Sequence, residues 1–191
     1  AEMGLSFIQL GLITALYAAG SAGGQFFMGV YIDRYGPRWF LILGLLTVAI
    51  AFILMGFCST YWMLLGLGLI AGLGDSVFHP ADFSVITSVV QEERLGRSYA
   101  FHAFAGFAGF GAAALVVPLF NNILGWHLTL MTLGGCGLVM TGILYLERAR
   151  FEVISQAFET LPAQNANTVL GDMWKFASMP PILLLFAFYV L

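Results

Sequence analysis

The sequence predicts an all-α protein, namely a polytopic bundle of transmembrane helices that is incomplete. Two observations predict this fold class. Hydrophobic residues make up 60% of the 191 positions and charged residues only 9%, whereas a soluble domain carries about 25% charged residues. The apolar residues are also gathered into long runs, and a helix needs roughly 20 of them to cross a bilayer core about 30 Å thick. The surface is therefore expected to face lipid.

Five complete apolar runs and a shorter sixth run follow one another along the chain. They cover residues 5–32, 39–59, 61–90, 98–121, 128–146 and 180–191. The sixth run is shorter than the roughly 20 residues that a crossing needs, so it is expected to be the start of a further transmembrane helix. Residues 148–179 mix charged and polar residues with short apolar stretches, which predicts a linker. The helices before it would form one region, residues 1–147.

The basic residues alternate between the loops. All seven follow the first, third or fifth run: Arg34, Arg38, Arg94, Arg97, Arg148, Arg150 and Lys175. The loops after the second and fourth runs contain none. Because basic loops stay in the cytoplasm during membrane insertion, these three loops are predicted to be cytoplasmic, with residue 1 on the outer face. Such scattered charges also argue against a nucleic-acid partner, which requires a clustered basic surface.

The third run carries three ionisable residues, Asp75, His79 and Asp82. Four residues advance a helix by about 400° and seven by about 700°, so the three fall within roughly 60° on one face. A charge in mid-membrane costs at least about 2.5–3.5 kcal/mol, so this face is expected to line a cavity or to pair internally. The three residues are therefore candidates for a proton relay or a substrate contact. Pro80 lacks an N–H and is predicted to kink the helix.

A purely structural role for these residues stays open. His79 and Pro80 would then form a kink in which the histidine caps freed backbone groups, while the two acids would be hydrogen-bonded for packing. Three further polar residues are weaker candidates for substrate contact, for hydrogen bonds between helices or, for the histidine, for a gate: Gln9, Gln25 and His102. Stretches of small residues at 18–24 and 106–114 predict close helix packing.

The loop after the first run resembles the loop between the second and third helices of the major facilitator superfamily, which reads G-x-x-x-D-R-x-G-x-R/K. The matching positions are Gly29, Asp33, Arg34, Gly36 and Arg38. In physical terms, the first glycine allows a tight helix crossing and the second a sharp turn. The resemblance implies that Asp33 contacts a helix N-terminus of the opposite half and acts as a conformational latch.

The third run is also similar to the fourth helix of fosmidomycin-resistance-type facilitators. Many facilitators carry a membrane-embedded arginine earlier in this helix, where this sequence has Gly68. The resemblance implies that the chain covers roughly helices 2 to 6 and the start of helix 7 of a transporter in the bacterial inner membrane. Its partners would be the missing second half, the bilayer and a small-molecule solute that is moved by alternating access. Coupling to protons is a hypothesis that rests on Asp75, His79 and Asp82. No cofactor and no metal are implied.

Two other classes of function remain as rivals to a transporter. The first is a membrane scaffold or receptor that moves no solute, in which the polar face would be inert. The second is an intramembrane enzyme that uses His79 with a carboxylate as general base or metal ligand. Three ligands on one bent helix, without a second cluster, make a weak metal site. The sequence therefore disfavours the enzyme.

Overall fold

The computed structural model describes residues 3–149, 151, 175, 179 and 180. Within that part every regular element is helical, which confirms the predicted all-α class. The elements are α1 (Phe7–Tyr35), α2 (Arg38–Met55), α3 (Tyr61–Asp75), α4 (Phe78–Val89), the 3₁₀ helix η1 (Glu92–Arg94) and α5 (Leu95–Leu146). The described helices all lie in one compact unit, within residues 1–159. Almost all of the predicted linker and of the sixth run lies outside the described residues.

Many large apolar side chains are exposed on the surface of the helices. Within the described residues, four stretches are long and apolar enough to cross a membrane: Phe7–Tyr35, Arg38–Met55, Tyr61–Val89 and Glu92–Leu146. Large side chains such as Phe110 and Leu115 are 76% and 77% exposed. Soluble proteins rarely expose contiguous apolar patches of this kind, so lipid is the medium that suits this surface.

Helix α1 has a defined signal at each end. At its start Ser6 and Gln9 form a capping box, in which each side chain accepts a hydrogen bond from the other residue's backbone N–H, at 3.3 and 2.9 Å. This arrangement satisfies two N–H groups that a helix start leaves without partners. At its end Gly36 has a φ of 76°, which favours glycine and turns the chain sharply into α2. Gln9 is therefore a capping residue in this structure.

The third predicted run is interrupted in the structure. Helix α3 ends at Asp75 and α4 begins at Phe78, so the break falls three to four residues before Pro80. A proline removes the hydrogen bond to the carbonyl four residues earlier and its ring clashes with that carbonyl, which here belongs to Ser76. The Ser76 hydroxyl donates to the Leu73 carbonyl at 2.6 Å and lies fully buried at the break.

The fourth and fifth predicted runs are joined in α5. Its 52 residues form two helical segments, 95–124 and 126–146, because the backbone at Gly125 between them is not helical. Each segment is long enough to cross a bilayer core. The backbone of α5 bends at Gly125, where φ is 75° and ψ is 165°. Just beyond the bend, His127 Nδ1 lies 2.6 Å from the Gly56 carbonyl oxygen at the end of α2. Because a carbonyl oxygen only accepts, this ring nitrogen carries the proton and donates.

The helices pack in a fixed order. Helix α1 lies against α3, and α2 packs on one side against α3 and on the other against α5. The α2–α5 contact involves the part of α5 beyond the bend, since Gly134 lies against the Ala49 carbonyl. One buried cluster of the hydrophobic core is formed by Ala51, Met55, Cys58, Leu64 and Ala71.

The glycines of the fourth run do not pack as the sequence predicted. A Cβ atom at Gly106, Gly109 or Gly111 would meet nothing within 4 Å. Within the described residues, the part of α5 before the bend meets the rest of the bundle mainly at its beginning, beside α4. The small residues of the first run do pack closely, because Gly20, Ser21 and Gly24 are all buried against α3 and the break.

Replacing Gly125 with alanine is expected to lower the free energy of unfolding by about 1–2 kcal/mol, because this backbone conformation is essentially restricted to glycine. The space around Gly125 is open, so the cost is conformational and not steric. Thermal unfolding of the complete gene product in detergent measures this change in the free energy of unfolding. Gly142→Ala is the matched control, since Gly142 is also in open space but is helical. It should gain roughly 0.5–1 kcal/mol; equal effects at both sites would contradict the prediction.

Candidate functional site

A polar network joins α1 to the end of α3 around Asp75. The Ser21 hydroxyl donates to Asp75 Oδ2 at 2.6 Å, and Gln25 Nε2 donates to the Ser21 hydroxyl oxygen at 3.1 Å. The Tyr17 hydroxyl lies close enough to Asp75 to interact electrostatically with this carboxylate. Tyr17, Ser21 and Gln25 are spaced four residues apart, so they lie on one face of α1. The carboxylate is therefore held inside the helix bundle by a hydrogen bond from a neighbouring helix.

A second polar group joins α4 to α5 around Asp82. Asp82 Oδ2 lies 3.6 Å from His102 Nε2, and the two side chains are 31% and 36% exposed. His79, one turn earlier on α4, is close enough to act electrostatically on the same carboxylate. A protonated imidazole at either position would pair with the Asp82 carboxylate, whereas a neutral one would not.

An aromatic cleft of about 590 Å³ lies beside this second group, between α4 and α5. Phe83 packs edge-on against Tyr99, with ring centroids 5.2 Å apart. The residues that line the cleft are His79, Phe83, Tyr99, His102, Ala103, Gly106, Phe107 and Phe110. Such a mostly apolar cavity with a few polar groups is typical of small-molecule sites.

The residues of the predicted ionisable face contact different helices in the structure. Asp75 accepts a hydrogen bond from α1, whereas Asp82 pairs with α5, and the break at Ser76 and Val77 separates them. His79 stays with Asp82. Among the described residues, no group of three His, Cys, Asp or Glu side chains is placed to hold a metal ion.

Two of the weaker sequence candidates lie in these groups. Gln25 belongs to the Asp75 network and His102 to the Asp82 group, while Gln9 caps α1. Sequence reasoning missed Tyr17 and Ser21. The signal that would have found them is the spacing of four residues from Tyr17 to Ser21 and from Ser21 to Gln25 on an otherwise apolar helix.

The loop motif occupies the end of α1 and the start of α2. The Arg34 guanidinium lies over the Tyr35 ring at 5.2 Å, and the Arg38 guanidinium over the Trp39 ring at 4.9 Å. Asp33 is exposed. These positions leave the carboxylate accessible to another surface.

Two glycines behave differently from their expected roles. A Cβ at Gly29 would meet Pro80 only at 4.0 Å, an ordinary contact, so the packing seen here does not require glycine there. At Gly68, by contrast, a Cβ would lie 3.3 Å from the Ile13 carbonyl oxygen. Because Gly68 is buried in the α1–α3 interface, an arginine at this position would not fit without separating the helices.

Comparison with known proteins agrees with this architecture. The family model described as Major Facilitator Superfamily matches residues 1–191. The chain belongs to this superfamily. It is accordingly an integral membrane protein, and the assignment confirms the resemblance found in the loop motif.

Several superfamily transporters are similar to this chain. A protein named probable L-galactonate transporter from Escherichia coli (strain K12) is 24% identical over 172 residues, which cover 86% of this chain and 38% of that protein. The multidrug resistance protein MdtH of Shigella boydii serotype 4 is 26% identical over 115 residues, or 60% of this chain and 29% of that protein. The chain thus spans well under half the length of these relatives. The family and these names point to transport and away from an enzyme.

Proposed function

We propose that this facilitator chain is the membrane-embedded part of a secondary active transporter that moves a small organic solute by alternating access, coupled to protons. The observation that carries the proposal is the Asp82–His102 pair between α4 and α5, at 3.6 Å, with His79 beside it. Ionisable side chains inside membrane helices are costly and are a mark of ion and proton pathways. An imidazole changes charge near neutral pH, so the pair can take up and release a proton under physiological conditions.

The irregularity between α3 and α4 supports a role in alternating access. Ser76 and Val77 keep right-handed helical φ and ψ values, so it is an interruption of the helical hydrogen bonds and not an unwound segment. The two halves of a transporter move around a site near mid-membrane. Asp75 lies at the end of α3 and the Asp82 group follows on α4, so the break stands between the two carboxylates. In the proposal, Asp75 is a second proton-accepting carboxylate and a change of angle at the break alters its distance from Asp82.

The aromatic cleft is the proposed solute contact within this half. Its rings provide apolar surface, while His79 and His102 provide polar groups at one wall. The relatives are named for L-galactonate transport and for multidrug resistance, so L-galactonate and a fluorescent dye such as ethidium are the first solutes to test.

Several finer features belong to the same proposal. The loops that carry Arg34 and Arg94 would face the cytoplasm of a bacterial inner membrane, as the distribution of basic residues predicts. Asp33 would act as a latch against a second half of the transporter, with α1 as helix 2 and the part of α5 beyond the bend as helix 6. The similarity of α3 and α4 to fosmidomycin-resistance-type facilitators stays a prediction.

The His79→Gln variant tests the proton coupling. The initial rate of solute transport by the complete gene product in proteoliposomes, measured between about pH 5 and 8.5, should depend on pH if transport is coupled to protons through this group. In the variant this dependence should be flattened. His127→Gln is the matched control, because His127 lies at the bend of α5 and not in the Asp82 group.

Three outcomes of this assay separate the functions considered. A pH profile that is unchanged by His79→Gln would count against proton coupling through this group. Proton-independent transport would leave the transporter proposal standing without its coupling. If neither solute class nor protons were moved by the wild-type protein, a scaffold or receptor would be favoured instead.

A further inference from the structure

A second cleft, of about 610 Å³, lies at the beginning of α5 and has no part in the proposed transport site apart from His102 at its edge. Its polar wall is formed by Arg94, Arg97, Ser98 and His102. The start of α5 adds the partial positive charge of a helix N-terminus. Glu92 and Glu93 precede the cleft in η1 but do not line it. The two arginines therefore place cationic groups at one end of the cleft.

The two arginines of this cleft differ from the other described arginines in their contacts. Arg34, Arg38 and Arg148 each lie over the ring of a neighbouring aromatic residue. Within the part of the chain that the structure describes, the side chains of Arg94 and Arg97 make no hydrogen bond, ion pair or ring contact. The guanidinium groups without a protein partner thus occur together, in one cleft, where they are available to an anion.

The rest of the cleft is apolar and runs along the membrane-facing helix. Arg94, at the end of η1, precedes Ser98, Phe101 and Ala105 of α5 at intervals of three or four residues, so the four form a line along one face where the chain enters α5. Phe101 is 72% exposed. The line begins with a cation and a hydroxyl group and continues for two turns over apolar surface. This order matches an amphiphile whose phosphate lies at the membrane surface and whose acyl chain enters the bilayer.

We propose that the cleft formed by Arg94, Arg97, Ser98 and Phe101 binds an anionic glycerophospholipid. The two guanidinium groups hold the phosphate by charge-assisted hydrogen bonds, and one acyl chain lies along Phe101 and Ala105. Bound lipid fills the space between the end of α4 and the start of α5, beside the Asp82–His102 contact. The proposal does not depend on transport by this protein.

Binding of fluorescent phosphatidylglycerol to the complete gene product in a neutral detergent tests this site. Because a basic residue at the membrane surface contributes about 1 kcal/mol, Arg94→Gln and Arg97→Gln should each raise the dissociation constant about 5-fold, and the double variant about 25-fold. Arg148→Gln is the matched control, since its guanidinium already contacts Tyr145, and it should bind as the wild type does. Phe101→Ala should also weaken binding.

Two comparisons distinguish a lipid site from a site for free phosphate and from a loss of folding in the variants. Inorganic phosphate at millimolar concentration should fail to displace the lipid, whereas unlabelled phosphatidylglycerol should displace it. Both exposed arginines should tolerate substitution, so the unfolding temperature of the double variant in phosphatidylcholine should equal that of the wild type. Unchanged lipid affinity in the double variant, or displacement by inorganic phosphate as efficient as by lipid, would overturn the proposal.

Discussion

The Asp82→Asn variant is expected to lose gradient-driven solute accumulation, with the initial rate falling at least about 100-fold, the loss typical when a positioned proton-transferring group is removed. Asparagine keeps the size of the side chain but cannot carry the negative charge that faces His102 at 3.6 Å. Exchange of labelled for unlabelled solute across the membrane requires no net proton movement and should persist. Proteoliposomes with an imposed pH gradient measure the gradient-driven accumulation, and a counterflow assay measures the exchange of labelled for unlabelled solute.

Matched variants separate the role of this carboxylate from a general effect of charge. Glu92→Gln makes the same chemical change in η1, outside the group, and should transport as the wild type does. Because Asp82 and His102 act as a pair, the double variant Asp82→Asn/His102→Gln should be no worse than Asp82→Asn alone. Continued accumulation by Asp82→Asn at the wild-type rate would remove this residue from the coupling mechanism.

The Gly72→Ala variant is expected to destabilise the bundle by about 3 kcal/mol, the upper end of the usual cost of overpacking. A Cβ at this position would overlap the carbonyl group of Tyr17, and a backbone atom cannot move aside as a flexible side chain can. The variant would push α1 away from α3 and with it the side chain of Tyr17 from Asp75. This destabilisation would be measured as a lower unfolding temperature and a reduced yield of monodisperse protein in detergent.

Gly66 provides the matched control on the same helix. It is exposed, and a Cβ there would meet nothing within 4 Å. The Gly66→Ala variant should therefore be as stable as the wild type or slightly more stable, because alanine favours helix. If the two variants unfolded at the same temperature, the close approach of α1 and α3 would not contribute to stability.

The helices could be predicted from the sequence because their cause is local. Apolar runs long enough to cross a bilayer gave α1 and α2 with ends within a few residues of those observed. Gly36 was expected to allow a sharp turn and has a positive φ. The sequence predicted a loop between the fourth and fifth runs, whereas the two helical segments of α5 meet directly at Gly125, whose φ and ψ are not helical.

The candidate site was predicted less completely. Helical spacing placed Asp75, His79 and Asp82 on one face, which assumes an unbroken helix. The interruption at Ser76 and Val77 separates α3 from α4, and the two acids meet different neighbours on either side of it. The spacing of residues within one run also does not show which side chains a neighbouring helix places against them. Ser21 and His102, the partners of the two carboxylates, lie 54 and 20 residues away along the chain.

The sequence by itself determined that this protein is a helical membrane protein and which loops carry its basic residues, because hydrophobicity and charge act on each segment separately through its transfer into lipid. Only the tertiary structure decided which polar side chains meet. Asp75 came to lie against Ser21, and Asp82 against His102, because close packing at glycines such as Gly72 sets how helices distant in sequence are aligned. The alignment of the helices depends on the shapes of the side chains at each contact, and neither composition nor residue spacing reveals how those shapes fit together.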